Sequence, residues 1–293
     1  MFKSLRNMVS SIRSAGCLII GDEVLNGKIR DENSYEFAKY CFNTLSVPMK
    51  KIIVCGDDKD DIVKSIKILR EEKCDFIVTS GGIGSTHDDI TYDAIAEAFG
   101  VPCELDLETV ERMRSIRGGY LDLLSPSQLS AFYRMATLPQ QTSEVSVLKL
   151  YTESSLWVPI VGLQHQVYIL PGVPELFRKL LVGLGDHLKA RVILKAYQRF
   201  YVQTSTKESN LAPFLSALQK TCDEKFGVQQ VKLGSYPHFS WKTVTISIIG
   251  DDTVPQEALL DIVDQVIVGV GGGAKQIDAQ EEDFISSHEK DKK

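Results

Sequence analysis

FIVTSGGIGSTHDDITYDAIAEAFG, residues 76–100, joins three kinds of sequence in succession. Phe76-Ile77-Val78-Thr79 is a short apolar, β-branched run and predicts a buried strand. Gly81-Gly82-Ile83-Gly84 cannot continue that strand and suits a tight turn where backbone comes close to a ligand. From Thr91 the spacing turns helical: Ala94, Ile95, Ala98 and Phe99 share a face, and Gly100 stops the helix ahead of Pro102. Strand, glycine loop and helix aim backbone N–H groups and a positive helix end at an anion. Asp88-Asp89 closes the loop, and two carboxylates repel an anion unless a cation lies between them or one is protonated. The pattern predicts a metal-bridged phosphate.

Upstream, residues 16–20 and 51–55 are two more short apolar runs. Between and after them come helical spacings at 33–45 (Tyr35, Ala38, Phe42, Leu45) and 60–70 (Ile62, Ile66, Leu69). This β-α-β-α-β-α order predicts a parallel sheet covered on both faces, with ligands beyond the carboxyl ends of its strands. Each strand runs into an acidic turn: Asp22-Glu23, Asp57-Asp58, and Asp88-Asp89 after the glycines. Singly, Asp22 reads equally as a turn residue, Asp57 or Asp60 as a helix cap, and Asp89 or Thr91 as the cap of the next helix. Together on one edge they point to a shared cation and phosphate site, with oxygen donors suited to Mg²⁺ or Mn²⁺. His87 is a lone loop histidine.

Residues 104–136 read as helix broken near Gly118-Gly119 and Ser125-Pro126, and 137–155 as irregular. Residues 157–161 and 166–170 predict a hairpin, and Pro171-Gly172-Val173-Pro174-Glu175 a second strand-turn-helix junction, equally readable as a proline-initiated helix. Strands at 200–204, 231–233 and 243–249 and helices at 208–220 and 258–268 predict a smaller α+β domain over 193–272, with Pro213 tolerable only in a first turn. Lys207-Glu208-Ser209 and Ser235-Tyr236-Pro237 read either as caps and turns or as groups reaching a neighbouring subunit's site. Residues 273–293 are charged and predict a disordered tail.

The 43% apolar composition supplies a core, and the net charge of −6 argues against nucleic acid or an anionic membrane as partner. No apolar run reaches the roughly 18 residues of a membrane span. The six scattered cysteines predict free thiols in a reducing compartment. Residues 1–14, with Lys3, Arg6 and Arg13 and no acid, have the composition of a mitochondrial transit peptide or a frayed cytoplasmic N-terminus.

GDEVLNGKIRDENS, VCGDDKDDI, TSGGIGSTHDDITYDAIAEAFG and ILPGVPELF resemble, in order, the motifs of the CinA-type branch of molybdopterin-binding (MoCF-like) domains. The N-terminal domain of eukaryotic FAD synthases belongs to that branch, and KESNLAPFL and LGSYPHF resemble the region that follows it there. The resemblance covers roughly residues 15–250. It implies a three-layer α/β/α sandwich with a mostly parallel sheet over 15–192, and a homo-oligomer. It also implies functional roles for Asp57 and Asp89 and a phosphate cradled by the glycine loop. The activity it implies is hydrolysis of a nucleotide pyrophosphate such as FAD or ADP-ribose, dependent on Mg²⁺, Mn²⁺ or Co²⁺. Ser85 stands where the family has proline, and residues 157–161 replace an Ala-Pro-Gly-like stretch, which changes a pocket wall. Domains matching the FMN-adenylylating half of FAD synthase or the CinA amidase are absent from this sequence, so a stand-alone copy is expected.

The candidate set is therefore Asp89, Asp57 and Glu23 for catalysis, and Asp22, Asp57, Asp88 and Asp89 for the metal. Gly81, Gly82, Gly84, Ser85, Thr86, Asn33, Pro171, Gly172 and Glu175 are expected to bind substrate. In the expected reaction a metal-activated water attacks the pyrophosphate, with Glu23 or Asp88 as base. Two alternatives stay open: a molybdopterin-binding transferase of molybdenum-cofactor synthesis, and a non-catalytic nucleotide-binding regulator.

Overall fold

A computed structural model of the chain describes residues 11–192 and 197–288. Two units divide it at about residue 194. The first unit begins with β1 (Ala15–Ile20), α1 (Asp22–Leu25), α2 (Asn33–Lys39), β2 (Met49–Cys55), α3 (Lys59–Glu71), β3 (Phe76–Ser80) and α4 (Thr91–Phe99). It continues with β4 (Cys103–Leu105), α5 (Leu107–Leu121), α6 (Pro126–Tyr133), β5 (Thr137–Pro139) and β6 (Val147–Leu150). β7 (Ile160–Leu163), β8 (Val167–Leu170) and α7 (Pro174–Leu188) complete it.

The main sheet has the order β2-β1-β3-β8-β7-β6. β2, β1, β3 and β8 run parallel, and β7 is antiparallel to both neighbours. Every residue of β1, β3, β7 and β8 is buried, as apolar strands covered on both faces must be. α2 and α7 cover one face and α3 and α4 the other, so the sandwich has the three expected layers. Phe37, Phe76 and Tyr168 meet edge-on through the core, with centroids 5.3 and 5.6 Å apart. Each such ring contributes about 1.5–3 kcal/mol by leaving water.

Several expectations are corrected. α2 buries Asn33 and Phe37, and the turn that continues it buries Cys41, leaving Tyr35 and Phe42 exposed where the spacing had put them inward. The cause is Asn33. Its amide donates to Ser80 Oγ at 2.8 Å and to the Gly172 carbonyl at 2.7 Å, which fixes the helix's rotation. Beyond Lys39 the helix widens to π spacing over Tyr40–Leu45, and this keeps the four-residue stripe pointing inward as far as Leu45. α5 runs through Gly118-Gly119 unbroken. Residues 137–155 are not irregular throughout: β5 pairs with β4, and β6 forms an edge of the main sheet. Lys149 of β6 holds Asp106, the N-cap of α5, in a short ion pair, an anchor set by folding rather than by local pattern. The hairpin forms, but its first strand starts only at Ile160, because Pro159 has no N–H for the ladder. Of residues 1–14, positions 1–10 lie outside the described residues. Ile12 is buried and bridges to Val192, and Ser14 is buried, so these two belong to the fold rather than to a tail.

The second unit comprises β9 (Gln198–Thr204), α8 (Glu208–Phe226), β10 (Val231–His238), β11 (Thr243–Gly250), α9 (Gln256–Val270), β12 (Lys275–Ile277) and α10 (Ala279–Ser287). Its antiparallel sheet has the order β10-β11-β9-β12. Pro213 lies inside α8, beyond the first turn. Ser235 donates to Glu208 at 2.7 Å, tying β10 to the start of α8. The expected disordered tail is ordered as far as His288. Ile277 and Ile285 are buried, Asp278 caps α10 by accepting from the Glu281 amide at 2.8 Å, and Phe284 packs on Trp241. Positions 289–293 lie outside the described residues. All six cysteines are free thiols, and no helix among the described residues is long and apolar enough to cross a membrane.

Two outcomes follow. Asn33→Ala removes two buried hydrogen bonds and is expected to lower stability by about 1–3 kcal/mol in urea unfolding. For Asp106, burial raises the carboxyl's pKa, but Lys149 and Thr109 outweigh burial and hold it below the ordinary carboxylate value. A lowered folded-state pKa means the contribution is complete at neutral pH and is lost as pH falls through the acid range. Asp106→Ala should therefore cost about 1–2 kcal/mol near pH 7, with the gap to the parent narrowing as pH falls below the ordinary carboxylate range.

Candidate functional site

The sheet reverses its strand order at β1 and β3, since β1 leads to β2 on one side and β3 returns on the other. The carboxyl ends of β1, β3 and β8 open there into a cleft of about 460 Å³. Eight of the candidate residues line it: Glu23, Asn33, Gly81, Gly82, Gly84, Asp89, Pro171 and Gly172. Gly81 has φ +109°, and a Cβ there would stand 2.0 Å from the Ile20 carbonyl oxygen, so only glycine lets β1 and the loop meet. Asn33, donating to both Ser80 and Gly172, ties the ends of β3 and β8 at the cleft floor. Its own Oδ1 is buried without a partner.

The glycine loop is held by Asp89. One carboxylate oxygen accepts from the Gly84 amide at 2.5 Å, and the other from the Thr86 amide at 2.9 Å and the Thr86 hydroxyl at 2.5 Å. Thr91 locks the other side by donating to the Gly81 carbonyl at 2.9 Å. Neither caps α4, whose N-cap is Ile90. Two of the amides expected to cradle phosphate thus already serve a carboxylate. The N–H groups of Gly82 and Ile83 donate to no acceptor among the described residues.

Asp22 and Asp57 sit beside the cleft at the ends of β1 and β2 and bind each other reciprocally. The Asp22 amide donates to the Asp57 carboxylate at 3.0 Å, and the Asp57 amide to the Asp22 carboxylate at 3.4 Å. Gly56 permits this approach, as a Cβ there would meet Asp22 Oδ1 at 2.3 Å. Asp58, rather than Asp57 or Asp60, caps α3. Burial, together with the negative fields of Glu23, Asp22 and Asp88, raises the Asp57 carboxyl above its ordinary value, although the Asp22 amide works against this. No three His, Cys, Asp or Glu side chains among the described residues form a ready-made metal cage.

The remaining candidates stand apart. Asp88 is exposed at the loop's outer turn, 4.0 Å from His87. Ser85 and Thr86 belong to that outer part and do not line the cleft, and Glu175 is an exposed partner of Lys179 at 2.9 Å. Sequence reading missed Arg30, Asp31, Met135 and Trp157, which all line the cleft. Arg30 and Asp31 lay within the GDEVLNGKIRDENS motif, and Trp157 within the stretch that departs from the resembled pattern.

The family described as "Probable molybdopterin binding domain" matches residues 16–190. A protein of Pyrococcus furiosus is 32% identical over 244 residues, covering 81% of this chain and 90% of that protein. A "Probable FAD synthase" of Caenorhabditis elegans is 27% identical over 271 residues, 88% of this chain, which spans half of that relative's length. The crystal structure of a CinA protein from Thermoplasma acidophilum superposes with a TM-score of 0.51 at 23% identity, covering 60% of this chain and 99% of that one, a likeness of fold. With its three-layer sandwich and glycine-loop cleft, the chain belongs to the probable molybdopterin binding domain family.

Proposed function

We propose that the first unit binds a nucleotide through its phosphate and hydrolyses a nucleotide pyrophosphate of the FAD or ADP-ribose type with the help of a divalent cation. The observation that carries this reading is the meeting, at the strand-order reversal, of two open loop amides (Gly82 and Ile83) with Glu23 and the Asp22–Asp57 pair. The relatives named FAD synthase put FAD among the substrates to test.

The donor set suits a hard cation of the Mg²⁺, Mn²⁺ or Co²⁺ kind. Such an ion needs only one or two carboxylates when substrate phosphate and water supply the rest, and Asp22 and Asp57 would hold it. When bound it would lower the pKa of a water molecule and neutralise charge on the phosphoryl oxygens. The chain's own groups do the remaining work. Gly82 and Ile83 hold a phosphate oxygen on their N–H groups. Glu23, on the cleft wall, accepts the proton of the attacking water. Asp89 keeps the loop in its donor-out shape, and Asn33 holds the two strand ends at the spacing the phosphate meets. Binding of a pterin phosphate is the second reading, favoured by the family's description.

Purified protein incubated with FAD, ADP-ribose or NAD⁺ should release mononucleotides only when Mg²⁺, Mn²⁺ or Co²⁺ is present. Asp57→Asn should lower kcat by about 100-fold or more. Asp89→Ala should raise KM more than it lowers kcat, because its carboxylate shapes the loop. Absence of product with every metal would remove hydrolysis and leave ligand binding, which calorimetry with AMP and a pterin phosphate then separates.

A further inference from the structure

One wall of the cleft is built where this chain departs from the sequence pattern it otherwise resembles, and Trp157 stands in that wall beside Met135, Val158 and Ile83. Pro159 keeps Trp157 out of β7, and the indole packs at the edge of both the main core and the smaller cluster around Met113. It also rests on Phe132, with centroids 5.7 Å apart and planes at 51°, and Phe132 rests on Tyr120 at 5.9 Å. The ring is therefore fixed by an aromatic ladder while remaining only half-buried. A tryptophan used purely as core is buried and finds a partner for its N–H. The Trp157 N–H donates to no acceptor among the described residues and is not among the buried unpartnered groups.

We propose that Trp157, flanked by Met135 and Val158, is the stacking surface for a planar heteroaromatic ring whose phosphate rests on Gly82 and Ile83. The site then selects phosphate esters that carry such a ring over ring-free sugar phosphates. An electron-rich indole held rigidly offers its face to a purine, pterin or flavin alike, with the polarizable Met135 sulfur filling the edge. Specificity for the ring thus comes from the stretch that departs from the resembled pattern, while the phosphate anchor comes from the glycine loop. The inference rests on the phosphate-anchor part of the proposed function.

The chain has two tryptophans, so Trp241→Phe leaves Trp157 as the only indole reporter. In that background AMP, ribose 5-phosphate and inorganic phosphate are titrated by calorimetry, and AMP also by tryptophan fluorescence. AMP is expected to quench Trp157 and to bind about tenfold more tightly than ribose 5-phosphate. Trp157→Ala should bring AMP down to the affinity of ribose 5-phosphate, and Trp157→Phe should keep most of the advantage. Equal affinities for AMP and ribose 5-phosphate in the parent would overturn the stacking proposal and leave the phosphate anchor standing. An AMP advantage that survives Trp157→Ala would overturn it as well. Failure of all three ligands to bind would overturn the anchor, and the stacking proposal with it. Should Trp157→Ala not fold, the Phe variant and the quenching of the parent decide.

Discussion

Asn33 carries a single side-chain amide on which the site's geometry depends. It reaches from the start of α2 to Ser80 at the end of β3 and to Gly172 at the end of β8. These strands are neighbours in the sheet, and at their ends two long bonds still join them, from the Gly81 N–H to the Leu170 carbonyl and from the Ser80 hydroxyl to the Pro171 carbonyl, each at 3.3 Å. The Asn33 amide reinforces that junction with two shorter bonds. It also orients α2, so the same pair of bonds that sets the cleft's width decides which helix residues enter the core. Core packing and site geometry are in this sense one constraint.

The local apolar runs made β1, β3 and β8 readable, because strands buried on both faces must be continuously apolar, and β2 was readable from its apolar run although it lies at the sheet's edge with one side exposed. The glycine loop was readable for a similar reason, since Gly81 sits where any side chain would strike the Ile20 carbonyl. What escaped was whatever depended on a partner distant in the chain. β6 is short and only half-buried, and its place comes from β7 and from Lys149 meeting Asp106. The inward face of α2 escaped because helical spacing cannot register a bond to residues 47 and 139 positions away. α10 escaped because a charged composition concealed the two isoleucines around it that reach the core.

The cleft divides along the same line. Its floor, made by loops that directly follow strands, could be listed from motifs. Of its walls only Glu23 could, since Met135 and Trp157 arrive from separate connections and meet only after folding, and Arg30, though inside a motif, carried no local sign of its role. The acids were correctly gathered on one edge but not as one group. Asp22 and Asp57 pair through their backbones, while Asp89 turns away to its own loop. Counting carboxylates on a sheet edge gives their neighbourhood, and only the hydrogen bonds assign each one its task.

The Asp89 carboxylate has a consequence for timing. A loop rich in glycine ordinarily collapses or wanders when its anion leaves, and each new ligand must freeze it again. Here three donors are engaged by a tethered anion that never departs, so the loop is held in shape before any ligand arrives. The entropy of ordering is met once, at folding, rather than at every encounter. A ligand that rests on this loop meets donors already in place, without first ordering the chain around it.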